Sequence, residues 1–281
     1  MDLSADDHAF FARLLEQRTG QQLQPGRRWR LDTALQAVLK SHAIEDVPAL
    51  VRRLRMGDPV LAEAVAWALL NHETFFFRDQ PAFTQLVTAG LPALRELRAA
   101  QRRLRIWSAG CSTGQEPYSL AFAFAREPKV WEGWQIDIVA TDISPLAIER
   151  ARAGLYTQFE AQRGLPVQEL VTLFEPAGDS WRVCDRMRHK VRFSRHSLFD
   201  APPPGGPFDL VLCRNVLFYF APDRRRAVFA NIASAMAPDG RLMLGAAETV
   251  IGQTDDFAVD PEQRGLYRRR DGAEPAMARV A

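Results

Sequence analysis

The sequence predicts an α/β domain, a mostly parallel sheet covered by helices on both faces, preceded by an all-helical domain and carrying a small β-rich insertion. Three observations predict it. Asp6 to about Ala89 shows only helical periodicity, Leu104 onward alternates short apolar strands with helices, and Leu155 to Lys190 interrupts that alternation with a turn-rich stretch. The 281-residue chain is accordingly expected to divide into 1–89 and 90–281, with the insertion at about 157–190.

In the first part, Phe10, Phe11, Leu14 and Leu15 form one apolar stripe, Leu31, Leu35, Val38 and Leu39 a second, and Leu61, Val65, Ala68 and Leu69 a third. Asp58-Pro59 reads as a helix start with Asp58 as cap, and Asp79-Gln80-Pro81 as another. About four or five short helices result. In the second part the strand Leu104 to Ser108 runs into Ala109-Gly110-Cys111-Ser112-Thr113-Gly114, followed by a helix from Pro117 to Arg126. A strand at Ile136 to Thr141 and a helix from about Pro145 to Ala153 complete a β-α-β-α order. Further strands are expected at Val191 to Ser194, Phe208 to Cys213, Arg241 to Leu244 and Leu266 to Arg269, with a helix near Asp223 to Ala235 and a turn at Asp239-Gly240. In the insertion, Trp181 to Cys184 alternates as one strand would. The tail after Arg270 is expected to fray.

Composition narrows the function. Lys and Arg total 36 against 34 Asp and Glu, so the net charge of +2 argues against a surface that grips many nucleic-acid phosphates. Three widely spaced cysteines, Cys111, Cys184 and Cys213, make neither a disulfide framework nor a zinc site. The five histidines show no metal-ligand spacing, so no metal is expected, and no Ser, His and acid grouping carries a hydrolase motif. Asp2, Asp6 and Asp7 make the N-terminus unlike a signal peptide, and no apolar run approaches the roughly 20 residues that span a bilayer. A cytoplasmic protein without membrane insertion is expected.

The small residues of Ser108 to Gly114 stand at the carboxyl end of the first strand, the usual ligand crevice of an open α/β sheet. Gly110 and Gly114 would let backbone approach a ligand, although a tight strand-to-helix turn without ligand would also use them. The run lacks G-x-G-x-x-G and G-K-[ST], so a nucleoside without phosphates fits better than a dinucleotide or nucleoside triphosphate. Asp142, just after the second strand, could accept two hydrogen bonds from ribose hydroxyls or merely cap the next helix. Paired with the glycine loop it favours the ligand reading, with S-adenosylmethionine as the phosphate-free candidate. Asn71, Thr74 and Arg78 would face one way on a helix or its final turns, anchored by Phe75, Phe76 and Phe77. Phe208 to Phe220 reads as a buried strand ending in Arg214-Asn215 and an aromatic turn. There Tyr219 either projects its hydroxyl over the crevice or fills the core.

Taken together, these strings resemble the CheR-type chemoreceptor glutamate methyltransferase family. The matching pieces are Asn71-x-x-Thr74-x-Phe76-Phe77-Arg78, SAGCSTGQEPYSLA from Ser108 to Ala121, ATDIS from Ala140 to Ser144, FDLVLCRNVLFYF from Phe208 to Phe220, and Gly240 to Gly245 leading to Glu248, in family order. Departures are Gln115 where a glutamate is common, Ser197 where an asparagine is frequent, and Asp32, Thr33 and Ala34 where further basic residues often lie.

The resemblance implies a Rossmann-like S-adenosylmethionine-dependent methyltransferase domain, a helical N-terminal domain and a β-subdomain. It implies methyl transfer to glutamates on the cytoplasmic helical bundle of methyl-accepting chemoreceptors, giving methyl esters and S-adenosylhomocysteine. By motif position Asn71, Thr74 and Arg78 would approach the methionine part, Glu116 the amino acid portion and Asp142 the ribose. Gly110 and Ile143 are counted with the cofactor contacts, Ser197 and Leu198 would line the adenine, and Cys213, Arg214 and Asn215 would lie beside it. Arg78 and Tyr219 would flank the acceptor carboxylate. Residues 13 to 55 hold nine basic residues (Arg13, Arg18, Arg27, Arg28, Arg30, Lys40, Arg52, Arg53, Arg55) against four acidic ones (Glu16, Asp32, Glu45, Asp46), an excess of five that reads either as a docking face for an acidic receptor bundle or as an ordinary solvated surface. Association with membrane receptor arrays and a monomeric state are carried as expectations, with the oligomeric state left open by the sequence. Methyl transfer to another acceptor, and a non-catalytic S-adenosylmethionine-sensing scaffold, are the alternatives.

Overall fold

In the structure, a computed structural model, residues 3–23 and 28–270 are described, the side chains of residues 28–30 excepted. The chain separates into two compact units: Met1–Asn71 with Phe218–Arg224, and His72–Leu217 with Arg225–Ala281. The division expected at residue 89 thus falls after Asn71, and a short later segment joins the first unit. Two buried rings explain the shift: Phe76 and Phe77 sit in the core of the second unit and carry the chain after Asn71 with them.

Among the described residues the first unit holds the helices α1 (Ala5–Thr19), α2 (Arg28–Ser41), α3 (Val47–Arg55) and α4 (Pro59–Leu69). Local chemistry sets their starts. Ser4 and Asp7 form a reciprocal capping box on α1. Asp46 caps α3 through Ala49 N–H, and Asp58 caps α4 through Leu61 N–H with Pro59 in the first turn. The expected stripes make the core: Phe11, Leu31, Leu35, Val38, Leu61 and Val65 are buried together with Leu50 and Leu54 of α3. Residues 218–220 are stitched to the chain after α1 by the Gln21–Phe220 bridge and the Gln22 N–H···O=C Tyr219 bond of 2.7 Å. Of the basic cluster, Arg52, Arg53 and Arg55 are exposed on α3, with Arg53 bonded to Asp58 and Arg55 over the Phe10 ring. Arg27 and the side chains of Arg28 and Arg30 lie outside the described residues, as does the tail after Arg270.

The second unit opens with α5 (Gln80–Gln85), a π turn (Leu86–Gly90) and α6 (Leu91–Leu97), and then alternates. β1 (Arg103–Ala109), α7 (Gln115–Arg126), β2 (Gln135–Asp142) and α8 (Pro145–Ala153) match the predicted order to within two residues. The insertion is a three-stranded antiparallel sheet of β3 (Leu155–Thr157), β4 (Phe174–Ala177) and β5 (Ser180–Val183), with β5 central. Two short helices, α9 (Gln158–Gln162) and α10 (Val167–Leu173), lie between its first two strands. After α11 (Asp185–Arg188) come β6 (Val191–Arg195), β7 (Phe208–Cys213), α12 (Pro222–Ala235), β8 (Met236–Leu244), β9 (Phe257–Val259) and β10 (Leu266–Arg269).

The main sheet has the order β6-β2-β1-β7-β8-β10-β9. Its first five strands are parallel, in registers such as Trp107 to Val139 and Trp107 to Val211, and β10 and β9 close it antiparallel. Two details escape sequence reading. β8 starts five residues before the expected Arg241, because Met236 already pairs with Phe208 before an irregularity carries the chain to the Arg241–Leu210 pair. β9 is three residues long, too short for a periodicity to show. From β1 the chain moves outward through β2 to β6 at the sheet edge and then crosses back to β7 on the other side of β1, so β1 and β7 flank the topological switch point, where open α/β sheets bind ligands beyond the strand carboxyl ends.

Candidate active site

Residues beyond these strand ends in the second unit build a buried polar floor. Asp142 closes β2, and both oxygens of its carboxylate accept backbone N–H groups: Ser112 on Oδ2 and Ser144 on Oδ1, each at 2.9 Å. Burial pushes its carboxyl above the ordinary value, opposed by His72 and by the N–H groups of Ser144, Ser112 and Ile143. The helix-capping alternative for Asp142 is answered by its neighbour, since the Ser144 hydroxyl caps α8 through Ala147 N–H. The Ser112 hydroxyl donates to the carbonyl of His72, which ties the loop after β1 to the start of the Asn71–Arg78 motif.

Glu116, in the first turn of α7, accepts the Ser108 hydroxyl at 2.8 Å and an Arg214 N–H at 3.0 Å. Arg214 follows β7 with its side chain 2% exposed, and its Nη2 bonds both the Arg78 carbonyl at 2.7 Å and Asp79 at 3.0 Å. Its Nη atoms are therefore occupied by protein; only Nε lacks a partner. Arg214 acts as a tie between β7, α7 and the turn before α5. Asp79 has φ of 57° and makes no side-chain cap bond, so the residue expected to start α5 by capping serves that tie instead.

The Asn71–Arg78 segment is not helical, contrary to the expected single face. Phe76 packs among Phe122, Tyr156 and Phe174 while Phe77 packs on Phe83, and a continuing helix could not deliver both rings to these places. The chain is therefore irregular, and Gly164 lies so close that a Cβ there would stand 1.9 Å from the Phe76 carbonyl oxygen. Thr74 and Arg78 are partly buried in the second unit. Arg78 donates to the Glu73 carbonyl at 2.8 Å with its guanidinium 5.7 Å over the Phe75 ring. Asn71 and Tyr219 belong to the first unit, where the Asn71 amide donates to the Tyr219 hydroxyl. Tyr219 is buried at 7% exposure, yet its hydroxyl is bonded rather than lost in the core.

Gly110 and Gly114 both adopt a positive φ, as the tight strand-to-helix turn requires. At Gly110 (φ 77°) a Cβ would stand 2.6 Å from Val216 Cγ2, and at Gly114 a Cβ would meet Ala151 at 2.9 Å. Their missing side chains admit protein neighbours first, Val216 from the turn after β7 and α8 behind α7. Ser197 and Leu198 follow β6, Ser197 Oγ accepting Phe199 N–H and the Leu198 carbonyl accepting the Asn231 amide. Cys213 ends β7 fully buried and Asn215 follows with φ of 60°.

This donor set fits S-adenosylmethionine. Asp142, Glu116 and Asp79 set three carboxylates around the guanidinium of Arg214, an acidic floor that disfavours a phosphate beside it. A sulfonium and an ammonium against one carboxylate make S-adenosylmethionine cationic, which such a floor accommodates. Burial first, then Asp142 and Glu116, pushes the Cys111 thiol well up, and burial with Glu248 and Glu116 does the same for Cys213. Both stay neutral thiols, which keeps them from competing as nucleophiles for an electrophilic methyl group. Among the described residues no group of three or more His, Cys, Asp or Glu is arranged to hold a metal ion, and no helix is long and apolar enough to cross a membrane.

Comparison with known proteins agrees with this chemistry. Residues 72–266 match the model of the CheR methyltransferase, SAM binding domain. The chain is 35% identical over 261 residues to a chemotaxis protein methyltransferase of Vibrio parahaemolyticus, covering 92% of this chain and 94% of that one. It is 34% identical over 273 residues to chemotaxis protein methyltransferase 1 of Pseudomonas aeruginosa, covering 96% and 99%. The matched region spans the five parallel strands, the buried floor and the β-insertion together, and the chain belongs to the CheR family of S-adenosylmethionine-dependent methyltransferases.

Proposed function

We propose that this methyltransferase acts in chemosensory adaptation by esterifying glutamate side chains on the cytoplasmic helical bundle of methyl-accepting chemoreceptors, releasing S-adenosylhomocysteine. The observation that carries the proposal is the match to chemotaxis methyltransferases over nearly the whole chain, helical unit included. Bound S-adenosylmethionine supplies an electrophilic methyl group. A glutamate acceptor has a reference pKa near 4.3 and is ionised at neutral pH, so the chain needs no general base. The absence of a histidine-centred catalytic grouping from the motifs fits that economy.

The remaining task is alignment within a shielded pocket. Arg78 is proposed to orient the acceptor carboxylate, with its guanidinium held by the Glu73 carbonyl and the Phe75 ring. Too strong a ground-state pairing would blunt the nucleophile, so its role is positional. Tyr219 is proposed as a second carboxylate contact and Asn71 as the residue that orients the Tyr219 hydroxyl. Asp142 is proposed to hold the ribose with the acceptor capacity left beyond its two backbone N–H bonds, and Glu116 the amino acid end. Cofactor roles for Thr74, Gly110, Ile143, Ser197, Leu198, Cys213, Arg214 and Asn215 follow from motif position; for Arg214 the contact would have to come through Nε. The exposed arginines of α3 offer charge to an acidic receptor surface.

The test is transfer of labelled methyl from S-adenosylmethionine to a receptor cytoplasmic fragment, with alkali used to release it. Base-labile label that disappears with Arg78→Ala supports the proposal. Label stable to alkali, or no label despite cofactor binding, refutes it.

A further inference from the structure

Glu248 lies in the chain after β8, outside every strand and helix, yet its carboxylate accepts four backbone N–H groups. Oε1 takes Val216 at 2.9 Å and Leu217 at 2.7 Å, and Oε2 takes Asn215 at 2.7 Å and Gly245 at 2.8 Å. Three consecutive N–H groups converging on one anion form a nest, and Asn215 adopts its left-handed φ of 60° within it. Without the carboxylate, these donors would face one another with no acceptor between them.

The consequences reach three strand ends. Gly245 ends up so close to the turn that a Cβ there would stand 2.6 Å from the Asn215 amide nitrogen, 2.8 Å from its backbone nitrogen and 2.8 Å from Glu248 Oε2. The end of β8 is therefore drawn directly onto the turn after β7. The same turn presses Val216 into the space left by the missing side chain of Gly110, at the end of β1. One carboxylate thus links the ends of β8 and β7 directly and that of β1 through Val216, across the switch point where this fold binds its ligand.

From this geometry we infer that Glu248 is a positioning residue for S-adenosylmethionine: it sets the shape of the Asn215–Leu217 turn and seats Val216 on the Gly110 loop, and so fixes that wall of the cofactor crevice. Glu248 does not itself contact the cofactor in this account. It acts through Asn215, Val216 and the Gly110 loop.

The test is S-adenosylhomocysteine binding by calorimetry to the full chain, well below its melting temperature. Glu248→Gln keeps the shape of the side chain but turns one acceptor into an amide donor facing N–H groups. The expected result is a Kd at least tenfold weaker with the near-ultraviolet circular dichroism of a folded protein retained. Val228→Ala, in the α12 core, serves as a destabilised control whose Kd should match that of the wild type. A Glu248→Gln Kd within twofold of wild type overturns the inference, because a purely structural carboxylate would lower melting temperature alone. If Glu248→Gln does not fold, Val216→Ala decides: it keeps the backbone N–H groups that Glu248 binds and removes the methyl groups that fill the space beside Gly110, and an unchanged Kd there overturns the inference equally.

Discussion

Arg214→Met is the most informative single change to the buried floor. The guanidinium is nearly sealed, and its removal leaves Glu116, with a side chain only 13% exposed, holding a single bond from the Ser108 hydroxyl. Asp79, at 28%, can turn toward water and adds little to the loss. Breaking a buried pair by removing one partner costs about 3–5 kcal/mol, chiefly through the stranded charge. With roughly 2–4 °C of melting temperature per kcal/mol for a unit of this size, the drop should be about 6–20 °C. Adding Glu116→Gln removes the stranded charge while Ser108 can still donate to the amide oxygen, so the double variant should recover about 1–3 kcal/mol relative to additivity. Thermal unfolding followed by tryptophan fluorescence reads this well, because Trp107, Trp131, Trp134 and Trp181 all lie in the second unit. A drop below 2 °C for Arg214→Met, or strict additivity in the double variant, would refute the reading of Arg214 as the structural tie.

Asp142 carries a pH signature. Its folded carboxyl is raised above the ordinary 3.8 by burial, so just above that pH the folded chain holds more protons than the unfolded one. Its contribution to stability is then fullest below 3.8 and declines as pH rises through the folded value. Ribose hydroxyls donating to the carboxylate would lower that value again, so S-adenosylhomocysteine binding in this window should release protons; calorimetry in buffers of different ionisation enthalpy measures this. Asp142→Asn should abolish the release, and a wild type that releases none would remove the ribose assignment. Gly164→Ala should destabilise the second unit by several kcal/mol, of the order seen when a side chain is forced against backbone at a positive φ (93° here), and urea unfolding checks it. Arg78→Ala should lower kcat on a receptor fragment by about a hundredfold through lost alignment while leaving S-adenosylhomocysteine affinity within a few-fold, and an equal loss in both would place Arg78 with the cofactor alone.

Much of this was legible in the sequence where a local rule coincided with the tertiary need. Leu104 to Ser108, Ile136 to Thr141 and Phe208 to Cys213 are fully or nearly buried parallel strands, so their apolar runs declare them, and Asp58-Pro59 starts a helix by chemistry confined to four residues. The Asn71–Arg78 motif was legible in identity and not in shape. Its three adjacent aromatic rings permit a helix locally, and only packing against Phe122, Tyr156, Phe174 and Phe83 forbids one. Asp79 reads as a cap because the residue and the following proline satisfy that pattern, while its true partner, Arg214, is distant in sequence. Glu248 enters the sequence reading only through the family strings, and its role is not legible there, since three of the four N–H groups it binds are carried by backbone on another strand end.

The central claim is tested most directly by incubating the purified chain with S-adenosylmethionine and a receptor cytoplasmic fragment, then mapping the product by tandem mass spectrometry. The account predicts methyl esters on glutamate side chains, formed in equal amount to S-adenosylhomocysteine. Methyl groups on nitrogen or sulfur, or turnover that leaves every glutamate unmodified, would contradict it.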